Sequence, residues 1–263
     1  MSPLALVILI FLVLIAVKYL YDEFRFGYHN TVAMAPAVGT CTTGTCNSEK
    51  FNVHREHSDQ KAAAALIKEI TKRNETFISF LESKYLGERL RSFDPDHQNK
   101  IDVIKGTSMY YADNPMEKDV AGKFGKVATR EEIQERVQQL IHNYDAKDIH
   151  EISPLNKDGS TSYTENKKTL ILCLRRKKAD ENGDHPLHDI NTMMFVVLHE
   201  LTHMMNDEWG HPYEFWVLFK FVLENAVEAG VYTPVDYKRN PLVYCGMDIT
   251  YNPLFDLKLP DEQ

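Results

Sequence analysis

Two histidines and a glutamate at positions 199–203 have the types and spacing of a hydrolytic zinc site. The segment His199-Glu200-Leu201-Thr202-His203 fits the H-E-x-x-H pattern. Residues four apart lie on one face of an α-helix, about 6 Å from each other, so both imidazoles can bind one tetrahedral ion. Glu200 follows the first ligand and lies beside the ion, where it can accept a proton from a water molecule. The pattern predicts His199 and His203 as ligands and Glu200 as general base.

A catalytic zinc ion takes a third protein ligand and leaves its fourth position to water. His211 is the preferred third ligand in this sequence. In a continuous helix it would lie about 12 Å beyond His203 along the axis, too far to share the ion. The chain must therefore fold back within 206–210, where Gly210 can adopt a positive φ.

A second apolar helix is predicted directly after His211. Pro212 begins it at a position that proline favours, and Gly230 ends it. Glu224 and Glu228 lie on this second helix, and either could be the third ligand in place of His211.

The helix that carries the motif is predicted to be buried, with Asp189 as its N-cap. Its apolar residues recur at helical spacing, and they are Ile190, Met193, Met194, Val197, Leu198, Leu201, Met204 and Met205. An oxyanion donor is also needed, and the candidates are Tyr213, Tyr232 and Tyr244. The segment 245–247, Cys-Gly-Met, could form a methionine-bearing turn beneath the ion.

These motifs resemble those of the WLM metallopeptidases and their SprT-like relatives. The resemblance rests on 199–203, on Gly210-His211, on Phe215-Trp216 and on the apolar strand 170–175 before the helix. It implies a zincin-like metallopeptidase domain in which His199, His203 and His211 bind Zn²⁺ and Glu200 is the base. In many peptidases with this motif, such a strand forms the rim of the cleft, and an extended substrate pairs with its edge.

Two departures from the family pattern keep a second function open. Seven residues separate His203 from His211, where the family has five, and Gly-His-Pro stands at 210–212 in place of Gly-Pro-His. The displacement favours the alternative, a non-catalytic structural or scaffolding membrane protein that retains a degenerate metallopeptidase fold.

The composition is that of an ordinary globular protein with an acidic balance. The chain has 263 residues, 43% of them hydrophobic, and a formal net charge of −8. This charge argues against a broad nucleic-acid-binding surface. The basic run 175–178 is followed by acidic residues and is interpreted as a solvated loop.

The N-terminal segment 1–25 is predicted to be an uncleaved membrane anchor. Residues 4–17 are apolar and uncharged, and with the flanking residues the run reaches about the 20 residues that span a bilayer. Lys18 and Arg25 follow the run, which predicts a single-pass protein with its large domain on the cytoplasmic-equivalent side. The layout is similar to that of WLM-like predicted peptidases of large DNA viruses, so a viral membrane is one location that it suggests.

The rest of the chain is divided into three parts by its residue patterns. Residues 26–57 are interpreted as a linker, 58–87 as a long helix that packs on the catalytic domain or forms a stalk, and 88–263 as the metallopeptidase domain. Cys41 and Cys46 are read as free or locally paired linker cysteines. Cys173 and Cys245 are predicted to be buried thiols.

Together these observations predict an α+β, mainly helical protein with an N-terminal transmembrane helix and a zinc site on two consecutive helices. The predicted activity is hydrolysis of peptide bonds in a protein or peptide substrate. Water bound to zinc would attack the carbonyl, and Glu200 would carry the proton to the leaving amine. The sequence does not indicate an oligomeric state.

Overall fold

The computed structural model describes residues 3–26, 29–34, 49–87, 130–155, 161–206 and 209–256. The helices are α1 (Pro3–Phe26), α2 (Gln60–Leu81), α3 (Arg130–Asn143), α4 (Ile190–Met205) and α5 (Tyr213–Glu228). The strands are β1 (His29–Met34), β2 (Glu49–His54), β3 (Ile149–Glu151), β4 (Tyr163–Glu165), β5 (Thr169–Leu172), β6 (Leu242–Tyr244) and β7 (Met247–Ile249). A π-helical turn (Glu82–Leu86) and a 3₁₀ turn (Pro253–Phe255) complete the described elements.

Five of the described strands form one mixed sheet in the order β1-β2-β3-β5-β4. The pairs β2–β3 and β3–β5 are parallel, whereas β1–β2 and β4–β5 are antiparallel. Strand β4 joins β5 through the three-residue connection 166–168, in which Asn166 and Lys167 both have positive φ. This turn leaves β4 at one edge of the sheet, beside α4.

Helix α4 is the centre of the packing. Asp189 caps it as predicted, because its carboxylate accepts hydrogen bonds from the Thr192 backbone nitrogen at 2.9 Å and hydroxyl at 2.6 Å. Helices α2, α3 and α5 and strand β4 all pack against it. Most of its residues are consequently buried, including both polar and apolar side chains of the motif segment.

Helix α2 lies against β2 and α4 through an apolar stripe at helical spacing. Its buried residues are Ala63, Ala64, Ile67, Ile70, Asn74, Phe77 and Leu81. The π-helical turn ends at Gly87, whose φ of 74° marks the stop that the sequence indicates. Segment 58–87 is thus found packed on the domain that carries the histidines.

The predicted transmembrane anchor is wrong. In the part of the chain that the structure describes, no helix has both the length and the apolarity to cross a bilayer. The uncharged run of α1, residues 4–17, ends at Lys18 and falls short of the roughly 20 residues that a spanning helix needs. The single-pass membrane location, and the sidedness inferred from Lys18 and Arg25, are withdrawn with it. The described residues form a mixture of helix and sheet.

The segment 26–57 is not an irregular stretch throughout, because it contains β1 and β2. These strands pair over six residues, from His29–His54 to Met34–Glu49, and β2 then joins β3 through Asn52 and His150. Cys41 and Cys46, predicted as linker cysteines, lie outside the described residues.

Arg175 is buried, contrary to the interpretation of 175–178 as a solvated loop. Its Nε donates to Glu151 Oε1 at 2.7 Å, and its Nη2 lies 2.7 Å from Asp59 Oδ1. Glu151 is also buried and accepts the His54 backbone N–H at 2.6 Å. A buried charge is tolerated when it is paired in this way. The ion pairs join the start of α2 to the sheet.

Cys173 and Cys245 form a disulfide, so the prediction of buried thiols is wrong. The two residues are 72 positions apart, and their Cα atoms are 6.2 Å from each other. Both side chains are buried, as expected from their apolar surroundings. The bond ties the β6–β7 hairpin, which contains the turn at Cys245 and Gly246, to the chain just after β5.

Candidate metal centre

The chain folds back between α4 and α5, as it must if His211 is to share an ion with His199 and His203. Helix α4 ends at Met205, and Asn206 leaves it in an extended conformation. Gly210 has a φ of 78°, a backbone that a side chain would strain. Helix α5 begins at Tyr213, one residue later than predicted, and Pro212 is its N-cap. Residues 207 and 208 lie outside the described chain.

This reversal brings three imidazole nitrogens to one point. The Nε2 atom of His211 lies 2.9 Å from that of His199 and 3.1 Å from that of His203. Ligand nitrogens at a Zn–N distance of about 2.0–2.1 Å in a tetrahedron are about 3.3 Å apart. In the described part of the chain, these three residues form the one cluster of potential ligands that could hold a metal ion. The donor set and its spacing fit zinc.

The electrostatics of the site keep the three rings neutral, which metal binding requires. Burial lowers the pKa of His199 well below its usual value, and the neighbouring His203 and His211 lower it further. Burial, His211 and Lys167 together lower the pKa of His203 to about 4. Partial burial also lowers the pKa of His211, although this residue is the most exposed of the three. All three nitrogens can therefore offer lone pairs near neutral pH.

Phe215 is the packing platform for all three histidines. Its ring centroid lies 4.9 Å from that of His199, 4.4 Å from that of His203 and 4.6 Å from that of His211. The Phe215 side chain is fully buried, so it offers a fixed surface. Trp216 adds a second contact to His211, with ring centroids 5.7 Å apart. The aromatic pair of the predicted motif thus restricts the orientation of the rings.

Glu200 lies on the same helix, and its carboxylate contacts strand β4. The Thr164 hydroxyl donates to Glu200 Oε2 at 2.9 Å and is 3.2 Å from the Glu200 carbonyl oxygen. Burial raises the pKa of Glu200 to about 7, and the hydrogen bond from Thr164 opposes this rise. A carboxylate with a pKa close to neutral is suited to accept and return a proton.

The three histidines and Glu200 line a cleft of about 570 Å³. Residues 161–164 line it, and so do residues 247–251 of the β6–β7 hairpin and its continuation. Aromatic side chains dominate the remaining surface, and they are Phe195, Trp209, Trp216, Phe219, Tyr244 and Tyr251. The lining is largely apolar around a few polar groups, as is usual in ligand-binding clefts.

The edge strand beside the cleft is β4, and not the predicted strand 170–175. Strand β5 lies between β3 and β4 and so has both edges paired. Strand β4 pairs with β5 on one side, and its residues Tyr163 and Thr164 line the cleft.

The competing ligands lie outside the metal cluster. Glu228 forms an ion pair with Lys84 at 2.5 Å. Burial raises the pKa of Glu224 to about 7, but neither glutamate belongs to the cluster or lines the cleft. The third potential ligand in the described chain is therefore His211.

Of the three tyrosines considered as oxyanion donors, only Tyr244 lines the cleft. Tyr244 lines the cleft, but its hydroxyl donates to the Cys173 carbonyl oxygen at 2.8 Å and lies 2.5 Å from Ser162 Oγ. The Tyr232 hydroxyl accepts from Asn252 at 3.1 Å, and neither Tyr232 nor Tyr213 lines the cleft. The Tyr244 hydroxyl thus links β6 to Ser162 and Cys173.

Several residues of the site were not found from the sequence. Thr164 contacts Glu200, 36 positions away in the chain, and no local sequence pattern predicts that contact. Met247, expected beneath the ion, is instead exposed on β7 and lines the outer part of the cleft. Tyr251 also lines the cleft, and no motif of the sequence points to it.

Comparison with known proteins finds relatives in large DNA viruses. The chain is 34% identical over 115 residues to the uncharacterized protein R325 of Acanthamoeba polyphaga mimivirus, covering 43% of this chain and 54% of that protein. It is 41% identical over 76 residues to the uncharacterized protein 136R of Invertebrate iridescent virus 6, covering 29% and 41%. It is 39% identical over 92 residues to the uncharacterized protein 042R of Invertebrate iridescent virus 3, covering 34% and 52%.

These matches span about half the length of the curated relatives. No protein-family profile matches the chain, and no solved structure matches it.

Proposed function

We propose that this protein is a zinc-dependent metallopeptidase. The observation that carries the proposal is the convergence of three histidine nitrogens, 2.9 and 3.1 Å apart, beside a buried glutamate at a cleft. Two ligands four residues apart on one helix, a third from the following segment and an intervening glutamate form the donor set of a catalytic zinc site.

The residues of the chain have separate roles in this proposal. A bound Zn²⁺ would polarise the substrate carbonyl and lower the pKa of a water molecule. His199, His203 and His211 would hold the ion. Glu200 takes a proton from the attacking water and returns it to the amine that leaves when the peptide bond breaks. Glu200 is a base and not a ligand, because neighbours on a helix diverge by about 100°.

The substrate proposed is an extended peptide segment. Strand β4 is at the sheet edge and its residues Tyr163 and Thr164 line the cleft, so we propose that a peptide pairs with it as an added strand. The aromatic lining around Trp216, Phe219 and Tyr251 favours a large apolar side chain next to the bond that is cut. The net charge of −8 gives no support for a substrate bound to nucleic acid.

The scaffold alternative rested on the displacement of His211 relative to the WLM and SprT-like pattern. The turn at Gly210 compensates for the two additional residues, since His211 still reaches His199. The displacement therefore no longer favours a degenerate site. We propose a relationship to the WLM and SprT-like peptidases on the motif residues alone, with His199, His203 and His211 as ligands and Glu200 as base.

The test is Glu200→Gln in the full chain loaded with zinc. The amide keeps the size of the side chain but cannot accept the proton, so peptide hydrolysis should fall by at least ~100-fold while zinc content stays the same. Glu228→Gln, which alters a glutamate outside the cleft, is the matched control and should cleave like the parent. Equal cleavage by the parent and Glu200→Gln would rule out the mechanism.

A further inference from the structure

The Glu200 carboxylate is held by a residue from outside its own helix. Glu200 is 5% exposed, so its carboxylate needs a hydrogen-bond partner in the protein to offset the loss of water. Within the described part of the chain, the partner found for this side chain is Thr164, whose hydroxyl donates to Oε2 at 2.9 Å and whose backbone also contacts the carboxylate. The same hydroxyl is 3.2 Å from the Glu200 carbonyl oxygen, which places it against both the side chain and the backbone.

Thr164 is itself fixed in position. It is the middle residue of β4, and it pairs with Leu170 of β5 in the antiparallel ladder. Threonine is branched at Cβ, so its side chain has few rotamers in a strand and the direction of the hydroxyl is restricted. Strand β4 also packs directly on α4. The hydroxyl is therefore a rigid donor pointed at a flexible side chain.

The hydroxyl contact holds Oε2 of the carboxylate and so restricts the direction of both oxygens. Thr164 donates to Oε2 of Glu200, and a proton taken from water needs one carboxylate oxygen directed at the reacting atoms. Without a partner, a glutamate has three side-chain torsions and several conformations in which neither oxygen has that direction. Holding one oxygen selects the productive orientation.

We propose that Thr164 is a positioning residue that orients the Glu200 carboxylate for proton transfer, an inference that rests on the proposed peptidase function. It also joins two parts of the site. The strand that offers its edge to the substrate is the same strand that directs the base, so the substrate and the base are positioned by one element.

The experiment compares Thr164→Val, Thr164→Ser and Thr169→Val in the zinc-loaded full chain. Valine keeps the branched shape and removes the hydroxyl, whereas serine keeps the hydroxyl. Thr169 is the matched control, because it is also a strand threonine that donates to a carboxylate, that of Asp148 at 2.6 Å, outside the cleft. Peptide cleavage is measured as kcat and KM separately, with zinc content and melting temperature for each variant.

Thr164→Val should lower kcat about 10- to 100-fold, the range expected for loss of a hydrogen bond to a charged group. KM and zinc content should stay near those of the parent. Thr164→Ser should recover most of kcat, and Thr169→Val should leave kcat unchanged. If Thr164→Val does not fold, Thr164→Ala against Thr164→Ser gives the same comparison. A crystal structure of the hydroxyl-free variant should show the Glu200 carboxylate in a different orientation.

The outcomes separate this inference from the function on which it rests. A parent that binds zinc but cleaves no peptide overturns both. A parent that cleaves, with an equally fast Thr164→Val, overturns the positioning role alone. A serine variant as slow as the valine variant would also overturn it, since packing of the methyl group would then be the cause.

Discussion

The Nε2 atom of His211 lies 2.9 Å from the Nε2 atom of His199, although the two residues are 12 positions apart and on opposite sides of a helix end. The positive φ of Gly210 and the extended Asn206 make this approach possible. His211 therefore belongs with the two histidines of the helix, and the glutamates of α5 do not.

The metal ligands can be tested by zinc content and affinity. The parent should bind about one zinc per chain. His203→Ala and His211→Ala should each weaken zinc binding by more than ~100-fold, which exceeds the effect of changing a residue that only orients a ligand. Glu224→Ala should keep the metal, because Glu224 lies outside the cluster. His142→Ala, an exposed histidine on α3, is the matched control. Zinc retained in full by His211→Ala would contradict the assignment.

Phe215 should control zinc affinity without touching the ion. Phe215→Leu keeps an apolar side chain but removes the flat ring that lies 4.4–4.9 Å from all three imidazoles. Affinity should fall about 10- to 100-fold, as for other residues that orient ligands. Phe255→Leu, an exposed phenylalanine, is the control. Competition with a chelator measures the affinity, and an unchanged value for Phe215→Leu would exclude the platform role.

The disulfide should contribute a large part of the stability. The disulfide closes a loop across 72 positions and lowers the conformational entropy of the unfolded chain. In the chain-entropy account, this raises the free energy of unfolding by about 4 kcal/mol. Replacing Cys173 and Cys245 together by alanine should lower the free energy of unfolding by about that amount, measured by denaturant titration. Reductant should destabilise the parent similarly and leave the double variant unchanged. A parent whose reduced form has the same midpoint would contradict this prediction.

His188 should make stability depend on pH. Its ring packs on Tyr244, with centroids 4.8 Å apart, and burial, followed by the charge of Arg176, lowers its pKa from 6.5 to about 4. The unfolded chain therefore binds the proton more readily between these values. Stability from neutral His188 is complete above pH 6.5 and is lost as the pH falls toward 4.

The corresponding variant is His188→Gln, studied in the metal-free protein. Over this pH range the free energy of unfolding of the parent should fall more steeply than that of the variant, by up to about 1.4 kcal/mol per pH unit. The other histidines are present in both proteins, so the difference in slope isolates His188. Equal slopes would show that the His188 ring titrates normally in the folded protein.

The parts of the site that follow from the sequence are those fixed by local geometry. Helical spacing places His199 and His203 on one face, and a glycine before His211 indicates where the chain can reverse. Asp189 and the apolar repeat of α4 identify the helix. These patterns lie within a few residues of each other, so no knowledge of the sheet is needed.

The remaining parts depend on contacts between distant segments. Thr164 meets Glu200 only because β4 forms a hairpin with β5 and lies at the sheet edge. Cys173 and Cys245 are each surrounded by apolar residues, a pattern shared by thiols and disulfides, so their pairing is decided by the fold. The membrane anchor was predicted from a run of apolar residues, but no helix of the described chain has both the length and the apolarity to cross a bilayer.

The bond between Cys173 and Cys245 closes a covalent ring, and all three histidines and Glu200 lie inside it. If one peptide bond within this ring is cut, for example beside the exposed Trp209, the two pieces remain a single molecule until a reductant separates them. A protein proposed to cut peptides can thus survive one cut of its own chain with its ligands still joined. On a gel, such a nicked form would migrate as one band without reductant and as two with it.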